Sequence, residues 1–377
     1  MINELIIRNF KCLANYKFEF RRITVLSGSN SVGKSSVIQS ILLSKVALDK
    51  IHQFKNLSGN VPLVINVPLN GKFALALGST KEVLTRDAPD NIIAFSLISE
   101  INKIKVDLNF KVEDVKDDKY ELELLFQGYQ SHLPSISDEF YYLNAERIGP
   151  RLSYDADQQD YPHVGWQGES TIQIISQKKG DEIVNKNYRG FPGLLDYKLL
   201  NQVRSWMDFI IPGFYLDDAQ LEGKLKRAHA LFSKSSPTNV GFGISYVLPI
   251  VVNGLIAKED SVFIVENPEA HLHPKGQSNI GYFLGVIAAS GIQVIIETHS
   301  EHVVNGIRRA VMSTNGIGTN DVLVNFFDGL DESRKVVVKK IDVSASGDLS
   351  SFPRDFFDQV QQDMAELFLL QRKTKNG

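Results

Sequence analysis

Alternation sets the opening of the chain. Leu5 and Ile7 fall on one side of a run whose other side carries Ile6 and Arg8, and a second run from Tyr16 to Phe20 follows after a short turn. Two strands are predicted. Ile23 to Leu26 is apolar apart from Thr24 and leads into the glycine-containing segment Ser27 to Gly33. From Lys34 the period changes. Val37, Ile38, Ile41, Leu42 and Val46 recur three or four residues apart, which predicts a helix. The order is strand, glycine loop, helix.

From about residue 60 to 130 the runs Val61–Val67, Phe73–Leu77, Ile92–Ile98, Ile104–Phe110 and Tyr120–Phe126 are punctuated by Pro, Asn, Gly and Asp. That spacing predicts an antiparallel sheet joined by hairpins. Lys111 to Glu123 mixes both charge signs and reads as a solvated edge or loop. Tyr141 to Gly190, rich in Gly, Gln and Tyr, reads as loop-dominated, before a helix through Leu199, Leu200, Val203, Trp206 and Ile210 that Pro212–Gly213 stops. Ser233 to Gly243 is a second loop. Val262–Val265 has the continuous apolarity of a strand buried on both faces. A helix over Gln277 to Ala289, a strand Gln293–Ile296, a helix from Glu301 to about Met312 and strands Val322–Phe327 and Lys335–Ile341 follow. An amphipathic helix carrying Phe357, Val360, Met364, Leu367 and Phe368 closes the pattern. No repeat or heptad array is present, so no long coiled coil is expected.

The 377 residues are 43% hydrophobic and 23% charged, as in ordinary globular proteins. With 41 Lys plus Arg against 44 Asp plus Glu the net charge is −3, which gives no sign of a polycation made for nucleic acid, although a local basic patch is compatible with it. The one cysteine, Cys12, excludes an internal disulfide and a Cys-based zinc cluster. Glu4, Arg8 and Lys11 interrupt any signal-peptide core, and Ser245, Pro249, Asn253 and Gly254 break the apolar stretch Ile244–Ala257. A cytoplasmic protein with no membrane partner is expected.

Gly28-Ser29-Asn30-Ser31-Val32-Gly33-Lys34-Ser35, followed by Ser36, fits G-x-x-x-x-G-K-[ST] in the strand-to-helix context that the pattern requires. Its glycines let backbone N–H groups turn toward phosphate oxygens at a helix N-terminus. Lys34 would reach the β- and γ-phosphates and Ser35 would ligate Mg²⁺. The expected ligands are ATP and Mg²⁺. A partner acid for the metal stands far downstream, at Glu266 after Val262–Val265. Ile295-Ile296-Glu297-Thr298-His299-Ser300 is another buried strand ending in polar groups.

The opening Leu5–Lys11, the phosphate loop, the block Glu266-Asn267-Pro268-Glu269-Ala270-His271-Leu272-His273-Pro274 and Thr298-His299-Ser300 together resemble the SMC/RecF-like branch of ABC-type ATPases. Within that branch they resemble the small prokaryotic ATPases related to the overcoming-lysogenization-defect proteins. The segments Asn239–Ser245 and Phe352–Asp358 resemble one subfamily of that group. The resemblance implies an α/β P-loop NTPase, a single ABC-type head of residues 1–377. Its approximate sub-lobes are 1–140 with the phosphate loop and an antiparallel β lobe, 141–240 as an inserted loop and helical lobe, and 241–377 with the signature, acid strand and histidine switch.

It implies further an ATP-dependent head-to-tail homodimer with nucleotides sandwiched between subunits. Gly243 and Ser245 then fall at the signature that touches the partner's γ-phosphate, or else at a plain glycine-rich helix entry. His271 and His273 occupy a dimer-contact loop. His299 matches a γ-phosphate-sensing switch, or is a structural histidine at a strand end. Arg147 and Arg151 suit phosphate as guanidinium forks, or an ion pair with a carboxylate such as Glu146. In the family pattern a glutamate that activates water follows the metal-directed acid. Here that position is Asn267, whose amide holds water but cannot deprotonate it. Slow turnover is expected, with Glu269 the nearest spare carboxylate as candidate base.

No nuclease-type acidic cluster follows the switch, so the effector, such as a nuclease or toxin, is expected to be a separate polypeptide. Family analogy places such ATPases in bacterial anti-phage defence, with a RecF-type role in DNA repair or recombination as the alternative. Two rivals remain open at this level. One is a nucleotide-gated scaffold that hardly hydrolyses ATP. The other is a metallohydrolase built from Glu269, His271, His273, His299 and His302.

Overall fold

The computed structural model describes residues 1–58, 63–100, 103–112, 119–125, 133, 136, 138–223, 226–232, 241–313, 316–354 and 356–375. Among them the strands, numbered in chain order, form three sheets. The first contains β2 (Leu13–Glu19), β1 (Glu4–Phe10), β5 (Ile92–Ser99), β6 (Ile104–Lys111), β7 (Glu121–Leu125) and β4 (Val64–Pro68), in that spatial order. Every pairing in it is antiparallel. Alternation explains it: Ile93, Phe95 and Leu97 of β5 are buried while their neighbours are not.

The second sheet runs β15 (Val336–Asp342), β14 (Val322–Leu330), β3 (Ile23–Gly28), β13 (Gln293–Glu297), β12 (Val262–Glu266), β8 (Phe140–Leu143). All its pairings are parallel except β14–β15. Residues from all three expected sub-lobes therefore build one sheet, and β8 straddles the boundary drawn at residue 140. Successive residues of these strands feed opposite cores: Phe263 and Val265 join one hydrophobic cluster, Val262 and Ile264 the other. Burial on both faces accounts for the unbroken apolar runs. A small third sheet, β10 (Leu216–Glu222), β11 (Arg227–Phe232) and β9 (Tyr154–Asp155), was not legible in the sequence pattern.

The phosphate-loop helix, Lys34–Ser58, packs its apolar residues Val37, Ile38, Ile41 and Leu42 into the core beneath the antiparallel sheet. Helices Leu199–Ile210, Phe242–Ile256 and Pro274–Ala289 fill the core on the opposite face, around the fully buried Trp206.

Three expectations change. Phe73–Leu77 is not a strand: a 3₁₀ turn spans Lys72–Ala74, with Phe73 and Ala74 at positive φ, and Phe73 buries its ring against Trp166. The region Tyr141–Gly190 holds strand β8 and helix Thr171–Lys178 rather than loop alone. Helix Gln359–Lys375 begins after Phe357, and Val360, Met364, Leu367 and Phe368 are 52–65% exposed instead of packed. Val61 and Phe126, at the ends of two expected runs, lie outside the described residues, as do Asn239, Val240 and Asp355. Among the described residues no long coiled coil occurs, and no helix is long and apolar enough to cross a membrane.

Candidate functional site

β3 ends in a loop whose backbone only glycine permits. Gly28 has φ 117°, and a Cβ there would lie 2.2 Å from the carbonyl oxygen of Phe327 on β14. Gly33, at φ 110°, would place one 2.9 Å from Cys12 Sγ. Ser29, Asn30 and Ser31 face solvent, Val32 is buried beneath them, and Ser31 adopts φ 61°. Lys34 opens the helix and is buried. Its Nζ donates to the carbonyl oxygen of Gly28 at 3.0 Å and to that of Ser29. Burial lowers its pKa, with Glu297 pulling the other way. A charged amine held on the loop's own carbonyls, at the N-terminal end of the helix, is a cradle for a polyphosphate.

Ser35 Oγ donates to Glu297 Oε1 at 2.9 Å. Glu297 ends β13, in parallel register with Glu266 at the end of β12. It is only 6% exposed, and its Oε2 has no hydrogen-bond partner. Burial, with Glu266 alongside, pushes its pKa up to about 7. Glu266 is placed differently. Tyr142 of β8 donates its hydroxyl to Glu266 Oε1 at 2.9 Å, and the Ala145 N–H also reaches that carboxylate. Burial raises Glu266 as well. A hydroxyl and two carboxylates are hard oxygen donors of the kind Mg²⁺ takes, and the unpartnered Oε2 supplies a free lone pair.

Asn267 sits at φ 44°, a conformation asparagine tolerates better than most residues. Its N–H donates to the Glu297 carbonyl oxygen at 2.8 Å. Arg147 lies beside the backbone that leaves β12. It is 3% exposed, and its guanidinium donates to the carbonyl oxygens of Glu266 and, at 3.3 Å, Asn267. It stands over the Tyr246 ring at 5.7 Å. Its protein partners are these carbonyls of the backbone that follows the acid strand, not Glu146, and burial pushes its pKa down to about 10. Arg151 is exposed, its N–H directed at the Tyr154 hydroxyl.

Glu269 bridges two loops. Its Oε2 accepts from Thr298 Oγ1 at 2.7 Å and its Oε1 from the His299 N–H at 2.9 Å. His299 is exposed, its ring hydrogen-bonds to the backbone of Gly28, and burial together with the nearby Lys34 charge lowers its pKa. The structure thus brings Gly28, Lys34, Ser35, Glu266, Asn267, Glu269 and His299 to the C-terminal ends of the adjacent parallel strands β3, β13 and β12. Gly243 and Ser245 lie in the first turn of helix Phe242–Ile256, whose N-terminal end packs on the turn that follows Glu269. A Cβ on Gly243 would be 3.0 Å from the His271 carbonyl oxygen, and the Phe242 and Tyr246 rings flank the His271 ring at 5.8 and 4.6 Å.

The histidines do not form a metal centre. His271 is held by those rings, His273 Nδ1 accepts from the Lys275 N–H at 3.4 Å, and His302 lies beside Glu301. Among the described residues no group of three or more His, Cys, Asp or Glu could hold a metal, so the metallohydrolase reading has no site. Two residues that the structure brings to the site were given no role in the sequence reading. Glu297 repeats the apolar-run-then-Glu pattern of Glu266, a signal that was available. Tyr142 carries none, since only strand order puts it beside Glu266.

The model of the AAA ATPase domain family matches residues 1–224 and 233–304. Residues 317–367 match a second family, described as a protein of unknown function (DUF3696). No curated protein matches the chain. Among solved structures, the SMC head domain from Thermotoga maritima aligns at 12% identity and TM-score 0.43, over 90% of this chain and 98% of that one. An SMC head bound to the C-terminal winged-helix domain of ScpA aligns at 13% and 0.48, over 91% and 97%. The recombination mediator RecF aligns at 10% and 0.44, over 90% and 98%. The fold is that of an α/β P-loop ATPase. Since its model covers well over half of the sequence, from the phosphate loop through the acid strand to the histidine strand, the chain belongs to the AAA ATPase domain family.

Proposed function

We propose that this protein is an Mg²⁺-dependent ATPase that dimerises head to tail on ATP and hydrolyses it slowly. The observation that carries the reading is the phosphate loop, with Lys34 across its underside and Ser35 directed at the acidic strand ends. The loop's amides hold the β- and γ-phosphates, and Lys34 leaves its carbonyl partners to neutralise them. Ser35 and Glu266 would hold Mg²⁺, which when bound offsets the phosphate charge. His299, beside Gly28 and Lys34, senses the γ-phosphate, and Glu269 positions it. Asn267 orients the attacking water but takes no proton from it, which keeps turnover slow.

Support for a dimer comes from the signature helix. Its first turn carries Gly243 and Ser245 on a rigid bed at His271, with Phe242 58% exposed beside them. That surface is suited to a second subunit's γ-phosphate. The output passes to a separate effector, a nuclease or toxin, in anti-phage defence; this part of the proposal rests on family resemblance alone.

Nucleotide binding and mass measured together test the reading. Lys34→Ala should abolish ATP binding without loss of fold. A non-hydrolysable analogue should shift the wild-type mass from monomer to dimer, because a ligand shared by two subunits favours their assembly, and Ser245→Arg should block that shift. Tight ATP binding by folded Lys34→Ala, or an unchanged mass with nucleotide, defeats the corresponding half.

A further inference from the structure

We propose that Glu297 is a second metal-directed acid of this site, so that Mg²⁺ is held by a carboxylate pair from adjacent strands rather than by Glu266 alone. The inference rests on the ATPase reading above and assigns a residue within it. Geometry carries it. Of the two acids, Glu297 is the one in contact with the phosphate-loop hydroxyl, through Ser35 Oγ at 2.9 Å. Its other oxygen is buried with no donor. Buried carboxylates in a finished structural role collect donors for both oxygens, because an unpartnered buried polar atom is costly. Glu266, by comparison, already takes two donors, the Tyr142 hydroxyl and the Ala145 N–H.

Among the described residues, the two cations whose charges reach this acid pair have other hydrogen-bond partners. Lys34 directs Nζ at the carbonyl oxygens of Gly28 and Ser29, and Arg147 directs its guanidinium at those of Glu266 and Asn267. Two carboxylates in register at neighbouring strand ends repel one another when both are ionised. A divalent cation satisfies the free oxygen and the repulsion together, and Mg²⁺ is commonly held by one or two carboxylates plus phosphate oxygens.

The test uses Mn²⁺ as the probe, its free concentration read by electron paramagnetic resonance during titration of the full-length protein saturated with AMP-PNP. Glu297→Gln, which preserves shape, should weaken Mn²⁺ binding by about tenfold or more. Its affinity for the nucleotide measured in EDTA should stay within about twofold of wild type, the range of ordinary context effects. Glu297→Asp, a shorter acid, should fall between, and carries the same comparison if the Gln variant does not fold. Mn²⁺ affinity equal to wild type in a folded Glu297 variant overturns the inference while leaving the ATPase reading intact. Failure of the wild-type protein to bind nucleotide at all removes that reading instead.

Discussion

Replacing Glu269 separates a positioning carboxylate from a hydrolytic base. Its two oxygens accept from the Thr298 hydroxyl and the His299 N–H. Hydrogen bonds to a charged group contribute about 1.5–3 kcal/mol each, and at a half-buried carboxylate the low end applies, so Glu269→Ala should cost about 3 kcal/mol. Much of that arises because Thr298 is fully buried and its hydroxyl loses its acceptor. With an unfolding entropy near 2.1 cal/mol/K per residue, a chain of this length should melt about 4 °C lower.

Glu269→Gln keeps one acceptor for the His299 N–H and should show about half the loss. Turnover should follow the same order, Ala below Gln below wild type, because His299 is displaced by degrees and misplacement of about 1 Å can cost about a hundredfold. On a His299→Ala background, Glu269→Ala should add little further loss, since the carboxylate acts through that residue. The assays are steady-state ATP hydrolysis and thermal melting of the wild-type protein, the three single variants and the two double variants with His299→Ala. A Gln variant with wild-type melting temperature but turnover as low as Ala, additive with His299→Ala, refutes the positioning role and makes Glu269 the base.

Other substitutions probe separate features. Gly28→Ala should abolish ATP binding as measured by calorimetry, because its Cβ would lie 2.2 Å from the Phe327 carbonyl oxygen and backbone must move to admit it. Asn267→Glu should raise turnover in a phosphate-release assay, at a stability cost of about 1 kcal/mol for a non-Asn residue in the left-handed region; an unchanged rate places the limiting step elsewhere. His163, which stacks on Trp166 and whose Nδ1 accepts from the Gly165 N–H, is pushed down to about 4 by burial. The unfolded chain therefore binds a proton that the folded one refuses, and stability should fall as pH drops from about 6.5 toward 4, by about 3 kcal/mol at most. Melting curves across that range should flatten in His163→Phe; an acid limb as steep as wild type assigns the loss to other groups.

Contiguous features of the sequence carried far. Eight consecutive residues determine the phosphate loop because its conformation is local: Gly28 and Gly33 supply the positive φ angles and Lys34 starts the helix. The strands on both sides were legible because burial on two faces demands largely apolar runs, Val262–Val265 unbroken and Ile23–Leu26 interrupted by Thr24 alone. Pairings between distant segments were not legible. Glu297 meets Ser35 only because β13 lies between β3 and β12, and Tyr142 meets Glu266 only because β8 borders β12. Arg147 looked equally suited to a phosphate or a carboxylate, yet a buried guanidinium takes whichever acceptors the fold brings, here the carbonyls behind Glu266. Periodicity also marked an apolar face on helix Gln359–Lys375, but whether a face is covered depends on what packs against it, and this one remains open to solvent. Dihedral preference and hydrophobic period are properties of neighbouring residues, whereas strand order and buried partners arise only when the whole chain has closed on itself.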